Sequence, residues 1–128
     1  MKGGLEGRRR ELAELLHRLF VNRADDYAIQ RESGQYVRAN SAAGRRIRES
    51  LGLPGQLTLK VVERHLAGDV TVGVYPHNPG TGLGKWGCLD LDEATSEDIE
   101  RIWRVVECDE ELKRAALFEQ SSPGRYHI

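Results

Sequence analysis

Residues 85–93, KWGCLDLDE, decide how this sequence is interpreted. The stretch begins like a strand that enters a protein core, and it ends in acidic residues. Because a strand points successive side chains to opposite faces, residues two apart share a face. One face then carries Trp86, Cys88, Asp90 and Asp92, and the other carries Gly87, Leu89 and Leu91. The sequence therefore predicts a strand over residues 85–92 with two carboxylates side by side near its end.

The two carboxylates repel each other in this arrangement. Strand geometry puts the Cα atoms of Asp90 and Asp92 roughly 6–7 Å apart. Two negative charges at that distance repel by about 2–3 kcal/mol at an effective dielectric constant near 20. Solvation, protonation of one carboxyl group or a bound cation would relieve the repulsion, and hard divalent ions such as Mg²⁺ prefer carboxylate oxygens. A solvated strand end and a metal site are both open at this point.

Length and composition indicate one globular domain. The chain has 128 residues, of which 39% are hydrophobic and 30% are charged, as is typical of soluble folded proteins. No apolar run reaches the roughly 20 residues of a membrane span, and the N-terminus does not resemble a signal peptide. Cys88 and Cys108 lack a CxxC spacing, which disfavours a zinc site and fits a reducing compartment. We therefore expect a cytoplasmic protein without a membrane partner.

The charge of the chain gives only a local signal for phosphate binding. A net charge of −1 excludes a global basic field of the kind that attracts nucleic acid. The positive charge is mostly arginine, however, and it clusters at residues 8–10 and 45–48. Arginine matches the geometry of phosphate groups. The alternative is that both clusters are solvated helix faces, and this alternative fits the first cluster better than the second.

Hydrophobic periodicity predicts an α/β mixture with helices that flank a mixed sheet. The first predicted helix covers residues 5–21, and its inward stripe is Leu12, Leu15, Leu16, Leu19 and Phe20. The later predicted elements are a hairpin that turns at Ser33-Gly34, a helix from Ser41 to about Leu51, a helix that begins at Thr58, strands 69–75 and 85–92, a helix from a Thr95–Asp98 capping box that continues to about Arg114 either by itself or as a second short helix, and strands at about 116–121 and 125–128. Since successive elements usually pack together, we expect the last four strands to share one sheet.

The C-terminal segment SSPGRYHI, residues 121–128, is the second informative stretch. It joins hydroxyl groups, a glycine turn, an arginine and a histidine between strand-like residues. Hydroxyl groups, turn amides and guanidinium groups can all bind phosphate. A single histidine is more often structural than catalytic, and Ser-Pro-Gly alone indicates no more than a turn.

Taken together, the ordered motifs resemble the archaeo-eukaryotic primase superfamily, which includes primase-polymerases. The motifs are LDLD at residues 89–92, the predicted helix at about 96–114 and SSPGRYHI at 121–128. The segments FVNRADDYAIQ and HLAGDVTVGVYP and the KW before the acidic strand also look similar to that family. The resemblance covers about residues 18–128 and is closest to bacterial and phage primase-polymerase domains, including those associated with CRISPR and other defence systems.

The resemblance implies a role for each matching residue. Asp90 and Asp92 would be catalytic carboxylates that bind Mg²⁺ or Mn²⁺, and His127 would be a catalytic residue that contacts the triphosphate of the incoming NTP or dNTP. Ser122, Gly124 and Arg125 would help to bind the phosphates, although the family usually has a small residue where Arg125 stands. Template and primer DNA would be the macromolecular partner. Asp90 and His127 should then lie within roughly 12 Å of each other, since metal-bound phosphates cannot bridge a longer distance.

The resemblance has one large departure. The third acidic residue of the family lies on a strand beyond the histidine motif, and this sequence ends at Ile128. We therefore expect a single domain over residues 1–128 that is truncated before the third acidic motif and belongs to a longer polypeptide with fused helicase or defence-system modules. A strand interrupted at its end should also leave unpaired backbone groups.

The leading interpretation is a primase- or polymerase-type nucleotidyltransferase, and other interpretations remain. A non-catalytic module that binds nucleic acid or nucleotide would retain the same fold, and the missing third acid favours it. A nucleotide-sugar glycosyltransferase would explain the DLD pair but leaves SSPGRYHI without a role. A phosphatase of the DxDxT type is disfavoured because Ala94 stands where that motif has threonine.

Overall fold

A computed structural model describes residues 2–128 and confirms the mixture of helices and strands. The chain divides after Trp86 into two compact units, here called unit 1 and unit 2, and unit 2 is Gly87–Ile128. The prediction of a single primase-like domain stays a prediction. No helix in the described part of the chain is long and apolar enough to cross a membrane.

Unit 1 combines three helices with a small antiparallel sheet. Its elements are α1 (Lys2–Phe20), β1 (Ala28–Gln30), β2 (Tyr36–Arg38), α2 (Ala42–Ser50), α3 (Leu59–Leu66) and β3 (Val72–Gly73). The sheet order is β2-β1-β3, with Ile29 opposite Val37 on one side and opposite Val72 on the other. The predicted hairpin is therefore correct, and its turn needs Gly34 because φ is +85° there.

The predicted starts of α2 and α3 are also correct. The Ser41 hydroxyl accepts a hydrogen bond of 3.1 Å from the Gly44 amide, and this cap satisfies one of the free donors at the start of α2. Thr58 is the N-terminal boundary residue of α3, although its hydroxyl makes no capping bond. Both helices begin where the sequence predicts because the signal is local to a few residues.

The core of unit 1 lies between the sheet and the helices. Its buried apolar residues are Ala13, Tyr27, Ile29, Ala39, Leu53, Leu57, Val61, Val62 and Val70. The Tyr27 hydroxyl donates a 2.8 Å hydrogen bond to the Pro54 carbonyl, so the polar end of this buried ring has a partner.

A buried carboxylate joins the hairpin to the rest of unit 1. The Asp26 side chain is only 2% exposed, and it accepts hydrogen bonds from the Arg38 guanidinium at 2.8 Å, the Tyr27 amide at 3.0 Å and the Asn40 amide group at 3.0 Å. Burial alone would raise the pKa of Asp26, but these donors outweigh it and lower the pKa below its ordinary value. Asp26 is therefore a charged structural anchor.

Replacing this anchor should make unit 1 less stable near neutral pH. Because the folded pKa of Asp26 is lowered, its contribution is present above its unfolded pKa of about 3.9 and is lost as pH falls through the folded value. Asp26→Asn should reduce the free energy of unfolding by about 2 kcal/mol at pH 7 and by progressively less below pH 4. Urea unfolding at several pH values measures this. Asp25→Asn is the control, since the Asp25 side chain is 64% exposed and solvent screens its pairing with Arg23. An equal effect of both changes would contradict the role of Asp26.

The orientation of α1 differs from the prediction. Ala13 is fully buried and Leu16 packs against the core, but Leu12, Leu15 and Leu19 are 44%, 39% and 48% exposed. The predicted stripe combined leucines from two sides of the helix. A small alanine lets α1 approach the rest of unit 1 closely, so the packing face centres on Ala13 and not on the larger leucines.

Unit 2 is a small antiparallel sheet with two helices. Its elements are β4 (Asp90–Leu91), α4 (Ser96–Glu107), α5 (Glu110–Ala115), β5 (Glu119–Ser122) and β6 (Arg125–His127). The sheet order is β4-β6-β5, so β6 is central. The predicted capping box is present: the Thr95 hydroxyl accepts from the Asp98 amide, and the Asp98 carboxylate accepts from the Thr95 amide.

Two predictions about the strands are wrong. The last four predicted strands do not share one sheet: β3 pairs with β1 in unit 1, whereas β4, β5 and β6 form the sheet of unit 2. The final strand also does not lack a partner, because β6 is paired on both sides and the backbone of Ile128 exchanges two hydrogen bonds with Leu89.

The observed strand is shorter than the predicted strand 85–92 because Lys85 and Trp86 contact helix α1 of unit 1 instead. The Lys85 ammonium donates to the Arg18 carbonyl, and the Trp86 indole donates a 2.8 Å hydrogen bond to the Phe20 carbonyl. The Trp86 ring also meets the Phe20 ring edge to face, with centroids 5.9 Å apart. The stretch KWGCLDLDE thus begins in one unit and ends in the other, and only Asp90–Leu91 is strand.

Candidate active face of unit 2

The pairing of β4 with β6 brings the two predicted motifs together. Asp90 lies directly opposite His127, and Leu91 lies opposite Tyr126. Continuing this register places Asp92 opposite Arg125. The DLD strand and the SSPGRYHI hairpin are therefore neighbours, as the shared-site prediction requires.

Close polar contacts connect the paired side chains. Asp90 Oδ1 is 3.5 Å from His127 Nε2, far inside the predicted limit. Asp92 Oδ1 is 3.4 Å from Arg125 Nε. The side chains of Asp90 and Asp92 are 67% and 65% exposed, so solvent or a ligand can reach both carboxylates. We call this surface, with Asp90, Asp92, Glu119, Arg125 and His127, the acidic face.

The opposite face of the same sheet is apolar. Phe118 stacks on Tyr126 with ring centroids 5.5 Å apart, and Trp103 of α4 meets Phe118 edge to face at 6.0 Å. Val106 of α4 is buried. Because strand side chains alternate, packing Tyr126 toward α4 turns Arg125 and His127 the other way. These aromatic contacts thus keep Arg125 and His127 on the acidic face.

The turn that precedes β6 is tied to the end of β4. Gly124 has a φ of +74°, which a residue with a side chain rarely adopts, and its carbonyl accepts a 3.1 Å hydrogen bond from the Ala94 amide. Glu93 has a φ of +56°, an uncommon conformation for a residue other than glycine. The exposed Ser122 pairs with Arg125 across a bulge. Ser122 and Gly124 therefore lie beside the acidic face, while their phosphate-binding roles stay predictions.

Glu119 belongs to the acidic face, although the sequence reasoning did not select it. It pairs with His127 across β5 and β6, and its Oε2 atom is 3.3 Å from His127 Nδ1. His127 thus lies between two carboxylates, Asp90 on one strand and Glu119 on the other. The sequence does contain a signal for this pairing. A hairpin that turns at Pro123-Gly124 brings a residue of the preceding strand opposite His127.

The carboxylate oxygens of the acidic face are the type of ligand that a hard divalent ion prefers. Asp90 and Asp92 offer accessible carboxylate oxygens on one side of the sheet, which is the ligand type that Mg²⁺ and Mn²⁺ prefer. Among residues 2–128, no group of three or more His, Cys, Asp and Glu side chains is arranged to hold a metal ion. The role of Asp90 and Asp92 as metal ligands therefore stays a prediction.

The charge balance of the acidic face bears on what it can bind. Three carboxylates face one guanidinium group and one imidazole. A phosphate anion would meet net repulsion on this surface unless added positive charge neutralises the carboxylates. A divalent cation on Asp90 and Asp92 would do this, and it would leave Arg125 and His127 available to phosphate oxygens. The face suits a metal–phosphate pair better than a free phosphate.

Unit 1 also has a cleft, which is lined by other residues. This cleft has a volume of about 720 Å³, and Arg31, Arg46 and Asp69 are among its lining residues. It contains none of the residues that the family resemblance selects, although Arg46 belongs to the arginine cluster at residues 45–48. Searches against protein-family models, curated proteins and solved structures return no match for this chain.

Proposed function

We propose that the acidic face is the metal- and nucleotide-binding surface of a primase- or polymerase-type nucleotidyltransferase. The observation that supports this most directly is the pairing of Asp90 with His127, with Asp92 and Arg125 on the same exposed face. Two accessible carboxylates beside a guanidinium group and an imidazole combine ligands for a cation with donors for phosphate. The family resemblance of the LDLD and SSPGRYHI motifs adds the reaction class.

Each residue has a part in this proposal. Asp90 and Asp92 would hold Mg²⁺ or Mn²⁺, which when bound supplies positive charge to the phosphates and lowers the pKa of the attacking hydroxyl group. Arg125 and His127 would donate hydrogen bonds to the triphosphate of an NTP or dNTP. Glu119 would hold the His127 ring through Nδ1, so that Nε2 points to the ligand.

The proposed reaction is an in-line displacement on DNA. The 3′-hydroxyl group of a primer or initiating nucleotide, aligned by the template, attacks the α-phosphate. A new phosphorus–oxygen bond forms, the bond between the α- and β-phosphates breaks, pyrophosphate leaves and the hydroxyl proton passes to solvent. Positioning and charge stabilisation by the face supply the catalysis.

A second candidate is a non-catalytic module that binds nucleotide or nucleic acid. The exposure of the carboxylates favours it, because phosphoryl transfer gains from a site that excludes water. Both candidates use the same residues for binding, so binding alone does not separate them. They differ in whether a new phosphodiester bond is formed.

Two measurements on the chain test these candidates. Calorimetric titration of an NTP and a dNTP, with and without Mg²⁺ or Mn²⁺, should show binding that needs the metal. Primer extension on a primed DNA template should then show metal-dependent incorporation if the face is catalytic. Metal-dependent binding without incorporation would support the binding module, and nucleotide binding that is independent of metal would contradict the charge argument for both.

Loss of the phosphate donors should weaken nucleotide binding. Because hydrogen bonds to charged groups contribute roughly 1.5–3 kcal/mol, His127→Ala and Arg125→Gln should each raise the Kd of the metal–nucleotide complex about tenfold or more. The matched control is Arg101→Gln, which changes an exposed arginine of α4 that pairs with Glu97 in the same unit. Equal effects of all three changes would show that general charge, and not the acidic face, governs binding.

A further inference from the structure

Helix α1 exposes a row of leucines that unit 1 leaves uncovered. Leu5 is 69% exposed, and Leu12, Leu15 and Leu19 are between 39% and 48% exposed. The opposite side of α1 is the one that packs, since Ala13 is buried and Arg10 reaches Glu63 of α3 at 3.7 Å. These four leucines are called the leucine row below.

The spacing of the leucine row is that of a helix–helix seam. Leu5, Leu12 and Leu19 repeat every seven residues, and Leu15 follows Leu12 by three, as the a and d positions of a heptad do. At 3.6 residues per turn the four side chains fall within an arc of about 80°. A leucine row along a helix of 19 residues, interrupted only by Arg8, is suited to another helix, and it differs from scattered surface leucines.

The charges beside the leucine row are self-complementary. Glu11 and Arg18 are both exposed, lie seven residues apart and border the same edge of the row. When two copies of α1 pair antiparallel, so that Leu12 of each copy meets Leu15 of the other, Glu11 of one copy lies near Arg18 of the second. Two-fold symmetry repeats this ion pair at the other end. A parallel pair would not bring these opposite charges together.

Arg8 is the polar residue within the row, and the antiparallel arrangement also accommodates it. In that register Arg8 lies near the C-terminal end of the second helix, where a positive charge is favourable. Its aliphatic stem can cover apolar surface while the guanidinium group stays in water. We propose that the chain forms a homodimer through antiparallel pairing of the leucine rows of two copies of α1.

Sedimentation equilibrium of the full chain over a range of concentrations tests the dimer. The wild-type chain should reach twice the monomer mass at micromolar concentration, and Leu12→Glu combined with Leu15→Glu should give monomers. The helical circular dichroism signal should remain, since Ala13 and Leu16 keep α1 packed. Leu83→Glu is the control, because Leu83 is 67% exposed in a loop of the same unit and should not affect the mass.

Exchanging the charges of Glu11 and Arg18 tests the antiparallel register of the two α1 helices. It also distinguishes a second copy of the chain from any other partner that could cover the leucine row. Glu11→Arg or Arg18→Glu alone should weaken dimerisation about tenfold, because each places two like-charge pairs across the interface. The double exchange restores both pairs and should restore the affinity. A wild-type chain that is monomeric at every concentration, a dimer that survives the leucine changes, or a double exchange that fails to restore affinity would each overturn the proposal.

Discussion

Asp90→Asn combined with Asp92→Asn is expected to lower metal-dependent nucleotide incorporation at least 100-fold while leaving the fold intact. Under the proposed function the metal would lose both anionic protein ligands, and the loss would reduce charge stabilisation in the transition state. Stability should not fall, because both side chains are about two-thirds exposed and their mutual repulsion disappears. Primer extension with Mn²⁺ and thermal melting of each variant measure the two effects.

The control for this prediction is Glu97→Gln, which removes an exposed carboxylate of α4 that pairs with Arg101. It should leave both incorporation and melting temperature unchanged. Full activity in the Asp90, Asp92 double variant would end the polymerase proposal. Unfolding of both single variants would instead show that the carboxylates are structural, through their contacts with His127 and Arg125.

Gly44→Ala is expected to be among the most destabilising single substitutions in unit 1. A Cβ atom at Gly44 would lie 1.9 Å from the Arg38 carbonyl oxygen and 2.8 Å from the Ala39 Cα. Both are backbone atoms at the end of β2, so no side-chain rotation can relieve the clash. Overpacking of this kind costs about 3 kcal/mol or more, which corresponds to a loss of about 10 °C or more in Tm for a domain of this size.

The matched control is Gly7→Ala, because Gly7 also lies in a helix but a Cβ atom there would meet nothing within 4 Å. Alanine should raise stability by up to about 1 kcal/mol at this position. Calorimetry should therefore show a lower Tm for Gly44→Ala and a higher Tm for Gly7→Ala than for the wild-type chain. Similar Tm values for both variants would mean that α2 can shift away from β2 without loss of packing.

The local features of this fold are predictable from sequence because a few neighbouring residues determine them. Ser41 and the Thr95–Asp98 pair mark helix starts through hydrogen bonds that span three residues, and the structure has both. The Gly34 turn fixes the first hairpin in the same way. The closeness of Asp90 and His127 was also predictable, although it came from the family resemblance and not from spacing.

The division of strands between two sheets was not predictable, because it depends on contacts between distant residues. Trp86 could continue the DLD strand, and its pattern gives no sign that it instead meets Phe20, 66 residues earlier. The side of α1 that packs against unit 1 was not predictable for a similar reason. Hydrophobic periodicity selects the side with the most leucines, whereas close helix packing in this molecule selects the side with Ala13.

The uneven burial of the two units has a consequence for amide hydrogen exchange. Of the ten buried apolar residues found in the described part of the chain, nine belong to unit 1 and Val106 alone belongs to unit 2. Segments with few buried contacts open at a small free energy, so the β4–β6 amides should exchange well before those of β1. A ligand that binds only the closed form lowers the population of the open form by the factor 1 + L/Kd, where L is the free ligand concentration. Deuterium uptake in residues 89–92 and 125–128 would therefore report whether the acidic face binds a metal or a nucleotide, even where no product is formed.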